Sequence, residues 1–208
     1  NKNVFFLIPD DKSAKTHFFI DKKHLNGAKK GQKVKTKFLS WPKHVKSPQV
    51  AVTEIIGNPS ELNVEMNSIL AEFGFPSRFP KRVLNEVELI KEPNYAIESK
   101  KRKDFRAKTT FTIDPHDAKD FDDALSVQKL KNGNWEIGVH IADVSHYIQT
   151  DDIIDLEAQE RATSVYLVDR VVPMLPEVLS NNLCSLRPNE EKLCFSAVFE
   201  LNEKGKIK

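Results

Sequence analysis

The chain has 208 residues, of which 39% are hydrophobic and 30% charged, an ordinary globular composition with room for one or two domains. It has no run of the roughly 20 apolar residues needed for a membrane helix, and its two cysteines, Cys184 and Cys194, cannot form a disulfide framework. The formal charge of +2 hides a division: residues 1–58 hold 12 Lys/Arg against 4 Asp/Glu (+8), residues 59–108 come to +2, and residues 109–208 hold 10 against 18 (−8).

A basic module followed by an acidic one suggests a nucleic-acid enzyme, because basic surface attracts a polyanion and clustered carboxylates hold divalent cations. The cysteines read as reduced, buried thiols of a cytoplasmic protein. The N-terminal stretch Asn1–Asp10 lacks a basic leader and a small-residue cleavage site, so it reads as a strand rather than a signal peptide. Both ends look cut, and the expectation is an internal piece of a longer protein.

Residues 1–58 read as short strands between polar turns. The runs Val4–Ile8, His17–Ile20, Gln32–Leu39 and Val50–Ile56 are β-branched, aromatic or alternating, with Asp-Asp, Asn-Gly and Lys-Gly pairs between them. They predict a small all-β barrel of OB type, whose open face commonly binds single-stranded nucleic acid. A fifth strand is expected upstream. Phe18 and Trp41 could stack on bases, but core packing is the stronger expectation.

Residues 59–108 change period and are expected to form a helical linker. Leu62, Met66, Ile69, Leu70 and Phe73 recur at helical spacing up to Gly74, and Val83, Val87 and Ile90 share one face of a second helix. The run Lys100-Lys-Arg-Lys103 reads as solvated linker, with a phosphate contact as the alternative.

Residues 109–208 are expected to form an α+β domain. Thr110–Ile113 is a strand, Leu125–Val127 and Trp135–Ile141 flank a hairpin turn at 131–134, Ile153–Arg161 is helical, and Leu193–Leu201 is a strand. The densest signal lies in Thr112-Ile-Asp-Pro-His-Asp-Ala-Lys-Asp-Phe-Asp-Asp-Ala124, where five aspartates fall within ten residues. Unneutralised carboxylates this close repel one another. A hard divalent cation would resolve the repulsion, and the spacing is not that of an EF-hand. Composition alone leaves open a capping or surface acidic loop.

The motif Thr112-Ile-Asp114 … Asp120-Phe-Asp-Asp-Ala124 resembles the catalytic-domain signature of the ribonuclease II/ribonuclease R family. The resemblance continues through His140-Ile-Ala-Asp-Val-Ser-His-Tyr147, Arg161–Tyr166, Val172–Asn181 and Leu183-Cys-Ser-Leu186, and these segments are closer to the ribonuclease R branch. It implies a cold-shock-like OB barrel (1–58), a helical linker (59–108) and the N-terminal part of the family's α+β catalytic domain (109–208).

It further implies hydrolysis of RNA from the 3′ end to nucleoside 5′-monophosphates, by two Mg²⁺ or Mn²⁺ ions. The four aspartates of the family's metal site correspond to Asp114, Asp120, Asp122 and Asp123. Asp114 and Asp123 would serve one ion and Asp120 and Asp122 the other, with Asp122 and Asp120 nearest the chemistry. Tyr166 matches the position where an aromatic ring packs on the 3′-terminal nucleotide. Without the resemblance it would read as a half-buried core residue. His140 and His146 read as structural, and Leu183–Leu186 as packing.

The expected partner is single-stranded RNA, with no membrane, no small-molecule cofactor and a monomeric state. The family's catalytic domain runs beyond the equivalent of Lys208, so the piece alone is expected to be inactive. A non-catalytic RNA-binding module and an endonuclease or DNA nuclease remain the alternatives. The complete four-aspartate set speaks against the first, and carboxylates alone do not exclude the second.

Overall fold

The computed structural model describes residues 4–208, so the first three residues of the expected barrel lie outside the described residues. The described residues separate into two compact units, divided between Ser77 and Arg78.

Among the described residues the first unit contains four strands, β1 (Phe5–Leu7), β2 (Phe18–Ile20), β3 (Lys33–Ser40) and β4 (Gln49–Gly57), in the order β1-β2-β4-β3. The β3–β4 ladder shifts register at three places. Such bulges increase local twist and let a short sheet curl around its own side chains. Ile20, Val50 and Val52 form the buried centre, packed by Phe5, Leu7, Phe18, Leu25 and Val34. Phe18 therefore packs as expected. Trp41 does not: it is 57% exposed, and its indole N–H donates to the Val45 carbonyl at 3.1 Å.

The segment 59–108 is divided between the two units. Helix α1 (Leu62–Glu72) belongs to the first, with Glu65 paired to Lys33 of β3 at 2.8 Å. Its buried residues are Val64 and Leu70, whereas Leu62 and Phe73 are exposed. This corrects the face read from helical spacing: Val64 packs so closely over Gly57 that a Cβ there would overlap it.

The second unit begins with α2 (Lys81–Val87) and the short α3 (Tyr95–Glu98), followed by β5 (Thr109–Phe111), β6 (Asp123–Lys129) and β7 (Trp135–Ala142). Then come α4 (Ile153–Arg161), the two-residue strands β8 (Val165–Tyr166) and β9 (Val171–Val172), and β10 (Cys194–Leu201). The main sheet is antiparallel throughout, in the order β10-β7-β6-β5.

Val83 and Val87 pack with Ala142, Ile154, Ala158, Leu175, Leu179 and Leu183 in the core, with Ile90 against them. The face expected for the second helix is thus the buried one. Helix α4 starts where the Asp152 side chain accepts from the Ile154 and Asp155 N–H groups, and it ends at Ala162 with φ +61°, a left-handed stop.

Buried polar groups fix this unit. Arg161 is paired with Glu157 at 2.9 Å, lies 3.7 Å over the Phe79 ring and donates to the Arg78 and Pro173 carbonyls. Within the basic run, Arg102 bonds Asp143 at 2.7 Å and the Cys194 carbonyl at 3.4 Å. It is a structural anchor rather than a solvated residue. His140 is buried between the hydroxyls of Ser126 (2.8 Å) and Ser196 (2.7 Å), which ties β6, β7 and β10 together. Both cysteines are free, and Cys184 is buried, which pushes its thiol up to about 12. Among the described residues no helix is long and apolar enough to cross a membrane.

Gly138 sits against this histidine. A Cβ there would overlap the Ser126 hydroxyl and lie 2.6 Å from His140 Nε2. Gly138→Ala should therefore cost about 1–3 kcal/mol of stability through overpacking. Urea unfolding followed by Trp135 fluorescence, in a Trp41→Phe background, measures it, and an unchanged midpoint would mean that the site has slack.

Candidate active site

The acidic loop runs from the end of β5 to the first residue of β6. Asp123 opens β6 opposite Ile141 of β7, and the Asp122 carbonyl accepts from the Ala142 N–H at 3.0 Å. Residues 118–122 have no regular secondary structure. A further backbone partner comes from a distant segment, where the Leu186 N–H donates to the Phe121 carbonyl at 2.8 Å. Asp114 follows the exposed Ile113, and residues 115–118 close a turn through the Ala118 N–H and the Pro115 carbonyl.

The loop is electrostatically uncompensated. Asp122 is open to solvent, yet its carboxyl is pushed above the usual carboxylate range by partial loss of water and by the charges of Asp120, Asp123 and Asp114. None of Asp114, Asp120, Asp122 and Asp123 forms an ion pair with a Lys, Arg or His among the described residues.

Asp143, only 20 residues downstream, is the opposite case. Burial opposes its ionisation, but hydrogen bonds from Ser145 and Arg102 hold it below the usual range. The four aspartates are therefore close in sequence without an ion pair of this kind. Among the described residues no group of three His, Cys, Asp or Glu side chains is drawn together closely enough to hold an ion as it stands.

Tyr166 meets the loop from the other side of the sequence. It lies in β8, which pairs with β9, and the two-strand ribbon is tied down where the Met174 N–H donates to the Ser164 hydroxyl at 3.0 Å. Its O–H donates to Asp120 Oδ2 at 2.9 Å, which keeps the phenol above its ordinary range, while the side chain is 65% exposed. An exposed ring with its hydroxyl on a carboxylate is not a core residue. The structure thus brings together Tyr166 and Asp120, which the sequence places 46 residues apart.

His140 takes the structural position already described, and His146 is half-buried, edge-on to Tyr147. Sequence reasoning missed Ser185 and Leu186, which hold the loop backbone. The only trace was a serine set between apolar residues in Leu183-Cys-Ser-Leu186.

Because the loop carries like charges without counterions, Asp122→Asn should stabilise the metal-free chain. The sign follows from linkage: a carboxyl whose folded pKa is raised favours the folded state when protonated, and that contribution is lost as pH rises through the raised value. At neutral pH the asparagine removes the penalty. The melting temperature of the second unit should rise by about 1–3 °C, given solvent screening, and calorimetry in EDTA would reject the argument if it fell.

Two families match the chain: the RNB domain over residues 102–208 and a cold shock domain over residues 6–80. The chain is 40% identical to ribonuclease R of Thermotoga maritima, over its whole length and 30% of the relative's. It matches the structure of Mycoplasma genitalium RNase R in complex with ribose-methylated single-stranded RNA at TM-score 0.83 and 25% identity, covering 99% of this chain and 34% of the other. Yeast Ssd1, described as a pseudonuclease, shares the fold at TM-score 0.73 and 22% identity, over 99% of this chain and 27% of its own. The chain spans about a third or less of each of these proteins.

Proposed function

Because the chain belongs to the RNB-domain family, we propose that it supplies the RNA-binding barrel and the metal-binding part of a 3′-to-5′ exoribonuclease that releases nucleoside 5′-monophosphates. The observation that carries this reading is the uncompensated carboxylate loop with Tyr166 hydrogen-bonded to Asp120. The oxygen-only donor set fits Mg²⁺ or Mn²⁺, hard cations that favour carboxylate and water. Partial loss of water and the charges of its neighbours raise Asp122, and a bound cation would offset both.

Asp114 and Asp123 are assigned to one ion, Asp120 and Asp122 to the second. When bound, the pair would supply a nucleophilic water and charge stabilisation on both sides of the scissile phosphate. The chain's own residues do the rest. The β6 register fixes Asp123, the Ala142 N–H fixes the backbone at Asp122, and the Tyr166 hydroxyl orients Asp120. The Tyr166 ring offers a flat apolar surface for the terminal base, tolerant of base identity as stepwise degradation requires. The lysine-rich barrel holds the strand through phosphates, and the assigned location is the cytoplasm.

In the full-length enzyme, Asp122→Asn should lower single-turnover cleavage by orders of magnitude while leaving RNA affinity nearly unchanged. That affinity should fall with salt with a log–log slope of about −0.7 per phosphate contacted. Cleavage near the wild-type rate would remove Asp122 from the site.

Tyr166→Ala should act differently. Loss of about 1–3 kcal/mol of stacking should change the length of the final oligonucleotide product rather than stop the reaction. Tyr166→Phe, which keeps the ring, should restore that length. An unchanged product ladder for Tyr166→Ala would return the residue to a purely structural role.

A further inference from the structure

We infer that Ser185 is the positioning residue of the carboxylate loop: its hydroxyl clamps the backbone on both sides of Asp120 and so sets where Asp120 and Asp122 stand. The inference rests on the reading of the four aspartates as a cation site. Ser185 Oγ donates to the Lys119 carbonyl at 2.8 Å and accepts from the Phe121 N–H at 3.1 Å. The next residue, Leu186, adds its N–H to the Phe121 carbonyl at 2.8 Å.

Three backbone groups of residues 119–121 are therefore satisfied by two residues more than 60 positions later in the chain. The stretch has no strand or helix of its own to do this. A hydroxyl suits the position because one atom can donate and accept at once, and Ser185 is 0% exposed, so no water substitutes for it.

The clamp is itself held by the core. Residues Leu179–Leu183 form a π-helical turn whose Leu179 and Leu183 are buried, and the Cys184 N–H returns to the Leu179 carbonyl at 2.8 Å. This irregular turn delivers Ser185 to the loop, and such turns recur at functional sites. Partners that orient metal-binding side chains typically change affinity by about 10- to 100-fold when removed.

The test uses the 208-residue chain under reducing conditions. Mn²⁺ uptake is read from the free-ion electron paramagnetic resonance signal, and amide exchange is followed at Phe121. Wild type is compared with Asp122→Asn, Ser185→Ala and Ser185→Cys, each first shown to be folded at the assay temperature. Ser185→Ala should weaken Mn²⁺ binding about 10- to 100-fold and speed exchange at Phe121. Ser185→Cys, which keeps a weak donor and acceptor, should fall between it and wild type.

A folded Ser185→Ala with wild-type Mn²⁺ affinity overturns the proposal. If the alanine variant does not fold, wild-type affinity in Ser185→Cys overturns it, and failure of both to fold assigns Ser185 to folding instead. Should wild type and Asp122→Asn take up Mn²⁺ alike, the cation reading is what fails. The clamp is then judged by exchange alone, where an unchanged Phe121 amide in Ser185→Ala ends it.

Discussion

Like charges on neighbouring residues move apart unless the backbone that carries them is fixed, and residues 118–122 have no ladder or helix to fix them. The second unit answers this from two directions. On one side β7 grips the loop through Ala142; on the other the π-helical turn grips it through Ser185 and Leu186. Each buried backbone group left without a partner would cost about 1–3 kcal/mol, comparable to the repulsion the loop must withstand. The grip therefore has to come from well-packed elements, and both contacts originate in residues adjoining the same core, where Ala142, Leu179, Leu183 and Cys184 pack together.

Several acidic groups elsewhere in the second unit are compensated. Asp143 is matched by Arg102, Glu157 by Arg161, Asp104 by Arg106 and Asp169 by Arg170, while Asp152 caps a helix. Glu136 lies between Lys103 and Lys108. These carboxylates, which support the fold, have cations or backbone donors. The four aspartates of the motif have one another, and Asp120 has in addition a neutral phenol. A charge left uncompensated at a fixed place is a standing cost to stability, and sites that must take up a charged ligand are where such a cost is retained.

Much of this was legible in the sequence because it is periodic or local. The four barrel strands, the hairpin at 131–134, the Val83–Val87 face and helix α4 all follow from side-chain periodicity or turn chemistry. What failed depends on packing that periodicity does not report. Helix α1 buries Val64 because Gly57 leaves room for it, and nothing in helical spacing reports a glycine on a neighbouring strand. Trp41 looked like core by residue type, yet its indole is held in a loop that covers little of it. Arg102 was indistinguishable from the lysines around it until its partner, Asp143, was placed beside it. Ser185 is the extreme case, a single small polar residue whose role exists only once segments more than 60 residues apart meet.

The same reasoning decides what the fold can and cannot say about activity. A fold shared by a ribonuclease and a pseudonuclease does not by itself carry catalysis. Within it, the strands and the buried His140 network would serve a silent protein as well as an active one, because they maintain only register. The uncompensated charge is different. Replacing Asp122, whose carboxyl is held above the usual range by partial loss of water and by the charges of its neighbours, with a neutral residue would relieve that penalty, and the Ser185 clamp holds the backbone of a loop that repulsion alone would loosen. All four carboxylates are present, and the loop that bears them is anchored by Ala142, Ser185 and Leu186. The two together are a stronger argument for cation-dependent chemistry than the likeness of the fold.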